Sequence, residues 1–135
     1  MNITIIGSGY VGLVSGACFS QFGFNVTCVD KDEEKIKNLK KAIIPIFEPN
    51  LEDLVKKNIA SNRLSFTTDL SSSFNDSVAI FIAVGTPANK KDNSADLSYV
   101  YEVVKEITDL IKSDDKHTKL IVTKSTVPVG TSKDI

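Results

Sequence analysis

The chain opens on Asn2-Ile3-Thr4-Ile5-Ile6, a short β-branched run that predicts a strand, and continues from Val11 to Phe22 as a helix rich in small residues, closed by Gly23. Asn25 to Val29 is a second β-branched run. Lys31 to Ala42 then sets Ile36, Leu39 and Lys40 at i, i+3 and i+4, the spacing of an amphipathic helix with a solvated face. The opening unit therefore reads strand, helix, strand, helix.

The segment Ile43 to Asn50 carries Pro45 and Pro49, which cannot sit inside a helix, so the chain turns there before a further helix over Leu51 to Ile59. Leu64 to Thr67 and Val78 to Val84 read as strands. The second is almost wholly apolar, as a central parallel strand covered on both faces requires. Ala88 to Ala95 is polar and reads as a mobile surface loop. Asp96 can cap a helix over Leu97 to Lys112, whose Val100, Val103, Val104, Ile107, Leu110 and Ile111 form an apolar stripe, and Lys119 to Thr123 is the last strand. Strands alternating with helices predict an α/β fold, a doubly wound parallel sheet of Rossmann type, with strand order 3-2-1-4-5.

Composition narrows the picture. The 135 residues match the size of one domain and can enclose a core, and 41% hydrophobic with 24% charged residues is the make-up of a globular protein. A net charge of -1 gives no bulk reason to bind nucleic acid or an anionic membrane, so neither is expected as a partner. Two cysteines without a secretory signal favour a reduced, cytoplasmic setting, and the glycine-broken start supports neither export nor a membrane span.

Gly7-Ser8-Gly9-Tyr10-Val11-Gly12 matches GxGxxG between a predicted strand and a predicted helix. Gly7 permits the tight turn, Gly9 lets backbone approach a pyrophosphate, Gly12 lets the helix pack on its strand, and free N–H groups at the helix start hold phosphate. A glycine-rich turn that merely tightens the corner is the competing reading. Asp30 ends the second strand eighteen residues after Gly12, close to the roughly 20 at which an acidic residue meets the adenine ribose. It could also cap the helix from Lys31 onward. Thr86 and Thr126 follow predicted strands at the carboxyl edge, where such sheets bind ligands, although local sequence by itself favours turn or cap chemistry for them. Cys18 and Cys28 read as small buried residues, His117 as a solvated ring in a polar turn, and no metal cluster is expected.

Further motifs stand in order along the chain: Pro45-Ile46-Phe47-Glu48-Pro49, Gly85-Thr86-Pro87, Ala95-Asp96-Leu97-Ser98-Tyr99 and Lys124-Ser125-Thr126-Val127-Pro128-Val129-Gly130-Thr131. With the glycine motif they make the chain resemble the UDP-glucose 6-dehydrogenase family, the UDP-glucose/GDP-mannose dehydrogenases, over essentially its whole length. The resemblance is to the amino-terminal NAD-binding part only. It implies that Gly7, Gly9, Tyr10, Val11 and Gly12 line the NAD pyrophosphate, Asp30 and Lys35 the adenosine ribose, and Gly85, Thr86, Pro87, Ser125 and Thr126 the rest of the cofactor. Asn50 stands where the family commonly has Gly, and it tolerates the left-handed backbone such a turn uses.

That family oxidises the C6 alcohol of a nucleotide sugar in two NAD-dependent steps through a cysteine thioester, with UDP-glucose the first expectation for the parent enzyme. UDP-N-acetylmannosamine and GDP-mannose are the alternatives, and a stand-alone, non-catalytic dinucleotide-binding module is a reading of another class. The resemblance further implies a homo-oligomeric parent whose central helix, sugar-nucleotide domain, nucleophilic cysteine and catalytic lysine follow residue 135. Residues 1–135 are thus expected to be the NAD-binding domain, truncated at its carboxyl end and inactive alone.

Overall fold

A computed structural model of the chain describes residues 1–89, 94–111 and 118–135. Five strands, β1 (Asn2–Ile6), β2 (Asn25–Val29), β3 (Leu64–Thr67), β4 (Ala79–Ile82) and β5 (Leu120–Thr123), form one sheet in the order β3-β2-β1-β4-β5. All four pairings are parallel, with Ile5 opposite both Cys28 and Phe81. The helices are α1 (Tyr10–Gln21), α2 (Glu33–Leu39), α3 (Leu51–Ala60), α4 (Ser71–Phe74) and α5 (Ser98–Leu110). The predicted doubly wound sheet and its strand order are therefore what the chain adopts.

Alternation along the strands explains the two cores. Ile3 and Ile5, Val26 and Cys28, and Leu64 and Phe66 face a layer containing Leu13 and Ala17 of α1 and Val55 of α3. Ile6, Val29, Ile80 and Ile82 face the other way, onto Phe74 of α4 and Val100, Val103 and Ile107 of α5. Each fully buried aliphatic chain contributes about 1.5–3 kcal/mol, so sheet and helices are stable only together. Close approach of α1 depends on two glycines. A Cβ on Gly16 would lie 2.6 Å from Cys28 Sγ, and one on Gly12 only 1.8 Å from the Gly7 carbonyl oxygen.

Several boundaries differ from the sequence expectation. The helix expected over Lys31 to Ala42 starts only at Glu33, because Asp32 caps it by accepting from the Lys35 N–H at 2.9 Å, and it ends at Leu39 before Ala42 turns left-handed at φ 58°. Asp30 is therefore not the cap. Asp96 accepts from the Ser98 N–H at 3.0 Å, one residue ahead of the helix cap position at Leu97. The expected mobile loop has a paired base: Ala88 bridges Ala95 antiparallel, and the Asn89 N–H donates to the Ser94 carbonyl at 2.7 Å. Its middle, residues 90–93, lies outside the described residues, as does His117. Asn50 takes the left-handed turn at φ 64° immediately before α3.

Candidate functional site

The strand order reverses direction between β1 and β4, which leaves a crevice beyond the carboxyl ends of the strands. A cavity of about 310 Å³ occupies that place. Ile6, Gly7 and Gly9 from the end of β1, Val29 and Asp30 from the end of β2, and Ala83, Val84 and Gly85 after β4 form its floor. Lys31 and Lys35 border it on one side, and Tyr99, Glu102, Val103 and Glu106 of α5 wall the other.

The glycine turn is held from below. The Gly7 N–H donates to the Val29 carbonyl at 2.7 Å, and Gly7 sits at φ 100°, with a hypothetical Cβ 2.6 Å from the Ala83 carbonyl oxygen. Only glycine meets both conditions. Gly9 is different: a Cβ there meets nothing within 4 Å, so no packing contact requires glycine at this position. Gly9 caps α1 without any side-chain bond, which leaves the first N–H groups of the helix pointing outward. Tyr10 and Val11 are exposed there, and the Tyr10 hydroxyl donates to the Glu48 carboxylate, tying the helix start to the segment between the prolines.

Asp30 is the electrostatic centre. Its Oδ2 accepts from the Ser8 N–H at 2.8 Å and from Lys35 Nζ at 3.0 Å, while Oδ1 accepts from the Asp32 N–H at 3.1 Å. Burial opposes ionisation of this carboxyl, but the Ser8 and Asp32 N–H groups and the Lys35 ammonium outweigh it and hold the pKa below the ordinary value. With about four acceptor sites on a carboxylate, Oδ1 keeps room for one more hydroxyl donor. Behind it, burial and then the Asp30 charge push the Cys28 thiol up to about 12, so this cysteine is an inert packing group.

A second cluster lies on the adjacent rim. Thr86 Oγ1 lies 2.9 Å from both the carbonyl oxygen and Oγ1 of Thr126, and Ser125 Oγ donates to the Val84 carbonyl at 2.7 Å. The loops after β4 and β5 are thereby joined. Gly7, Gly9, Asp30, Lys35 and Gly85 come together at the cavity, whereas Tyr10, Val11, Thr86, Pro87, Ser125 and Thr126 stand outside its lining. Gly12 is buried beneath the turn, where it serves the packing of α1. Sequence reasoning missed Leu70 and the α5 wall. Val103 was visible as core, but nothing local indicated that Tyr99, Glu102 and Glu106 would face a cavity.

These residues fit a dinucleotide. Bare backbone at Gly9, an unshielded helix start and a shielded carboxylate with an open acceptor site are the groups that a pyrophosphate and a ribose need. Ser8 Oγ, in the same turn, is the one buried side-chain polar atom without a partner among the described residues.

The model of the UDP-glucose/GDP-mannose dehydrogenase family, NAD binding domain, matches residues 1–135. The UDP-glucose 6-dehydrogenase of Rhizobium meliloti (strain 1021) is 56% identical over 135 residues, all of this chain and 30% of that protein. TuaD, a UDP-glucose 6-dehydrogenase of Bacillus subtilis (strain 168), is 52% identical over 98% of the chain and 28% of its own length. The chain thus spans about 30% of the curated relatives it matches. Among solved structures, a ternary complex of GDP-mannose dehydrogenase from Pseudomonas aeruginosa superposes with a TM-score of 0.92 at 40% identity, over 100% of this chain and 30% of that one. A UDP-glucose dehydrogenase from Pyrobaculum islandicum follows at 0.89 and 35%, over 96% and 30%. The chain belongs to the UDP-glucose/GDP-mannose dehydrogenase family and corresponds to its NAD-binding domain.

Proposed function

We propose that residues 1–135 are the NAD-binding domain of an enzyme that oxidises UDP-glucose to UDP-glucuronate with two NAD. The observation that carries this reading is the Asp30 carboxylate, fixed by the Ser8 N–H of the glycine turn beside an open cavity at the switch point of the sheet. In this reading the α1 start, with Gly7, Gly9, Tyr10 and Val11, holds the pyrophosphate. Asp30 and Lys35 hold the adenosine ribose, and Gly85, Thr86, Pro87, Ser125 and Thr126 border the remainder of the cofactor. Gly12 contributes by bringing the helix under the turn. When bound, NAD supplies the hydride acceptor; the residues of this chain orient it.

The nucleotide sugar, the nucleophilic cysteine, the catalytic lysine and the contacts of a homo-oligomer belong, in this proposal, to the further length seen in the relatives. A cytoplasmic setting accords with the two free cysteines and with the absence, among the described residues, of any helix long and apolar enough to cross a membrane. GDP-mannose is the second substrate reading, favoured by the structural match at a TM-score of 0.92. The curated relatives at 56% and 52% identity carry the UDP-glucose name and favour the first. Assaying a parent enzyme of full length on UDP-glucose, GDP-mannose and UDP-N-acetylmannosamine separates them: turnover of UDP-glucose alone is expected, and turnover only of another sugar overturns the assignment.

A further inference from the structure

The ribose end of the cavity carries two lysines, either of which could neutralise an extra phosphate on the ribose, so an acidic Asp30 alone does not explain discrimination against a 2′-phosphorylated dinucleotide. Both ammonium groups are engaged. Lys35 Nζ is bound to Asp30 Oδ2 at 3.0 Å in a partly buried pair. Lys31 Nζ reaches across the cavity mouth to Glu102 Oε2 on α5 at 3.2 Å, joining residues 71 apart in sequence. Both ends of this second pair are exposed, at 70% and 56%, and an exposed ion pair adds little to stability. Its position is what matters. Lys31 directly follows the ribose carboxylate, and Lys31 and Glu102 both line the cavity.

We propose that Glu102 is a specificity-determining residue: by holding the Lys31 ammonium on α5, it denies a 2′-phosphate the one cation among the described cavity-lining residues that Asp30 does not already hold. This rests on the reading of the cavity as the dinucleotide site. Of the described charged residues lining the cavity, Asp30, Glu102 and Glu106 outnumber Lys31 and Lys35, leaving one net negative charge. Glu102→Gln makes that balance neutral and also frees Lys31, whose flexible stem lets its ammonium swing to a phosphate. Glu106→Gln makes the same change in charge without releasing Lys31, so the two variants separate the general field from the specific restraint.

The experiment is calorimetric titration of the 135-residue chain with NAD and NADP, for the unmodified chain, Glu102→Gln, Glu106→Gln and Lys31→Gln/Glu102→Gln. The expected result is a preference for NAD over NADP narrowed about five-fold by Glu102→Gln, the scale of one exposed charged contact, read as the ratio of the two affinities so that a change common to both dinucleotides cancels. Glu106→Gln should give a smaller narrowing, and Lys31→Gln in the Glu102→Gln background should abolish it. An unchanged ratio in Glu102→Gln, with NAD still bound, overturns the role of Glu102 and leaves the cofactor site standing. An equal narrowing in Glu106→Gln, or a narrowing that survives loss of Lys31, also overturns it by reducing the effect to net charge. No NAD binding by the unmodified chain overturns the site itself and this inference with it.

Discussion

The backbone N–H of Ser8 donates to Oδ2 of Asp30 at 2.8 Å, joining the glycine turn after β1 to the end of β2 across 22 residues. One carboxylate thereby ties the glycine turn to the end of β2 and, in the function proposed above, presents the acceptor for a ribose. Lys35 and the Asp32 N–H complete its shell, so the side chain is oriented before any ligand arrives. Preorganisation of this kind lowers the ordering cost of binding.

Two of the motif glycines, Gly9 and Gly12, should separate by experiment. Gly12→Ala places a Cβ 1.8 Å from the Gly7 carbonyl oxygen and must push α1 off the sheet, at a cost of about 1–3 kcal/mol or more. Gly9→Ala meets nothing, and the change at a helix cap costs less than about 1 kcal/mol, yet its methyl group stands where phosphate would approach. Thermal denaturation should show a clear loss for Gly12→Ala only, and NAD titration a loss for Gly9→Ala. Unimpaired NAD binding by Gly9→Ala would remove the close-approach role.

Acid stability should carry the signature of Asp30. Its pKa lies below the unfolded value of about 3.9, so its stabilising contribution is complete above that pH and is lost as pH falls through the folded value. Asp30→Asn should be less stable than the unmodified chain at neutral pH, and the difference should shrink below about pH 4. Urea unfolding at pH 7 and pH 3 measures this. A gap that widens on acidification would contradict the assigned shell of donors.

Cys28 has no exposed surface, and its thiol is pushed up to about 12, so alkylation there requires opening of the core between β2 and α1. Under native conditions iodoacetamide should modify partly exposed Cys18 in preference to Cys28, with Cys28 reacting at the rate of unfolding. Peptide mapping by mass spectrometry reads the order. Rapid native labelling of Cys28 would show that the layer is not closed.

No turnover of UDP-glucose is expected from the 135-residue chain. Cys28 is inert, Cys18 lies within α1, and in the proposed function the nucleophilic cysteine and the sugar site belong to the further length of the relatives. NADH absorbance after mixing the purified chain with UDP-glucose and NAD should stay flat, and a sustained rise would contradict the division of labour proposed above.

Strands and strand order were legible because runs such as Ile3 to Ile6 and Ala79 to Ile82 are apolar on faces that only a doubly covered parallel sheet can bury. The short α4, Ser71–Phe74, was not: three serines carry no helical period, and the turn is set by Asp69 bonding to Ser71 and by burial of Phe74. At the site, the placement of Gly7 and Asp30 at the cavity was readable because each directly follows a strand end. The α5 wall was hidden, since Glu102 meets Lys31 only after α5 docks across the sheet. Expecting Asp30 as a possible helix cap failed because Asp32, two residues on, takes that role.

In the proposed function the Asp30 carboxylate, set by the Ser8 N–H, is the ribose acceptor of an NAD site. Calorimetric titration of the chain and of Asp30→Ala with NAD tests it most directly. One saturable site per chain is expected, weakened by about 1–3 kcal/mol in the variant, roughly 5- to 150-fold, as loss of charge-assisted hydrogen bonds dictates, with a narrower preference over NADP. Equal affinity of the two proteins for NAD, or equal affinity of the unmodified chain for NAD and NADP, would contradict it.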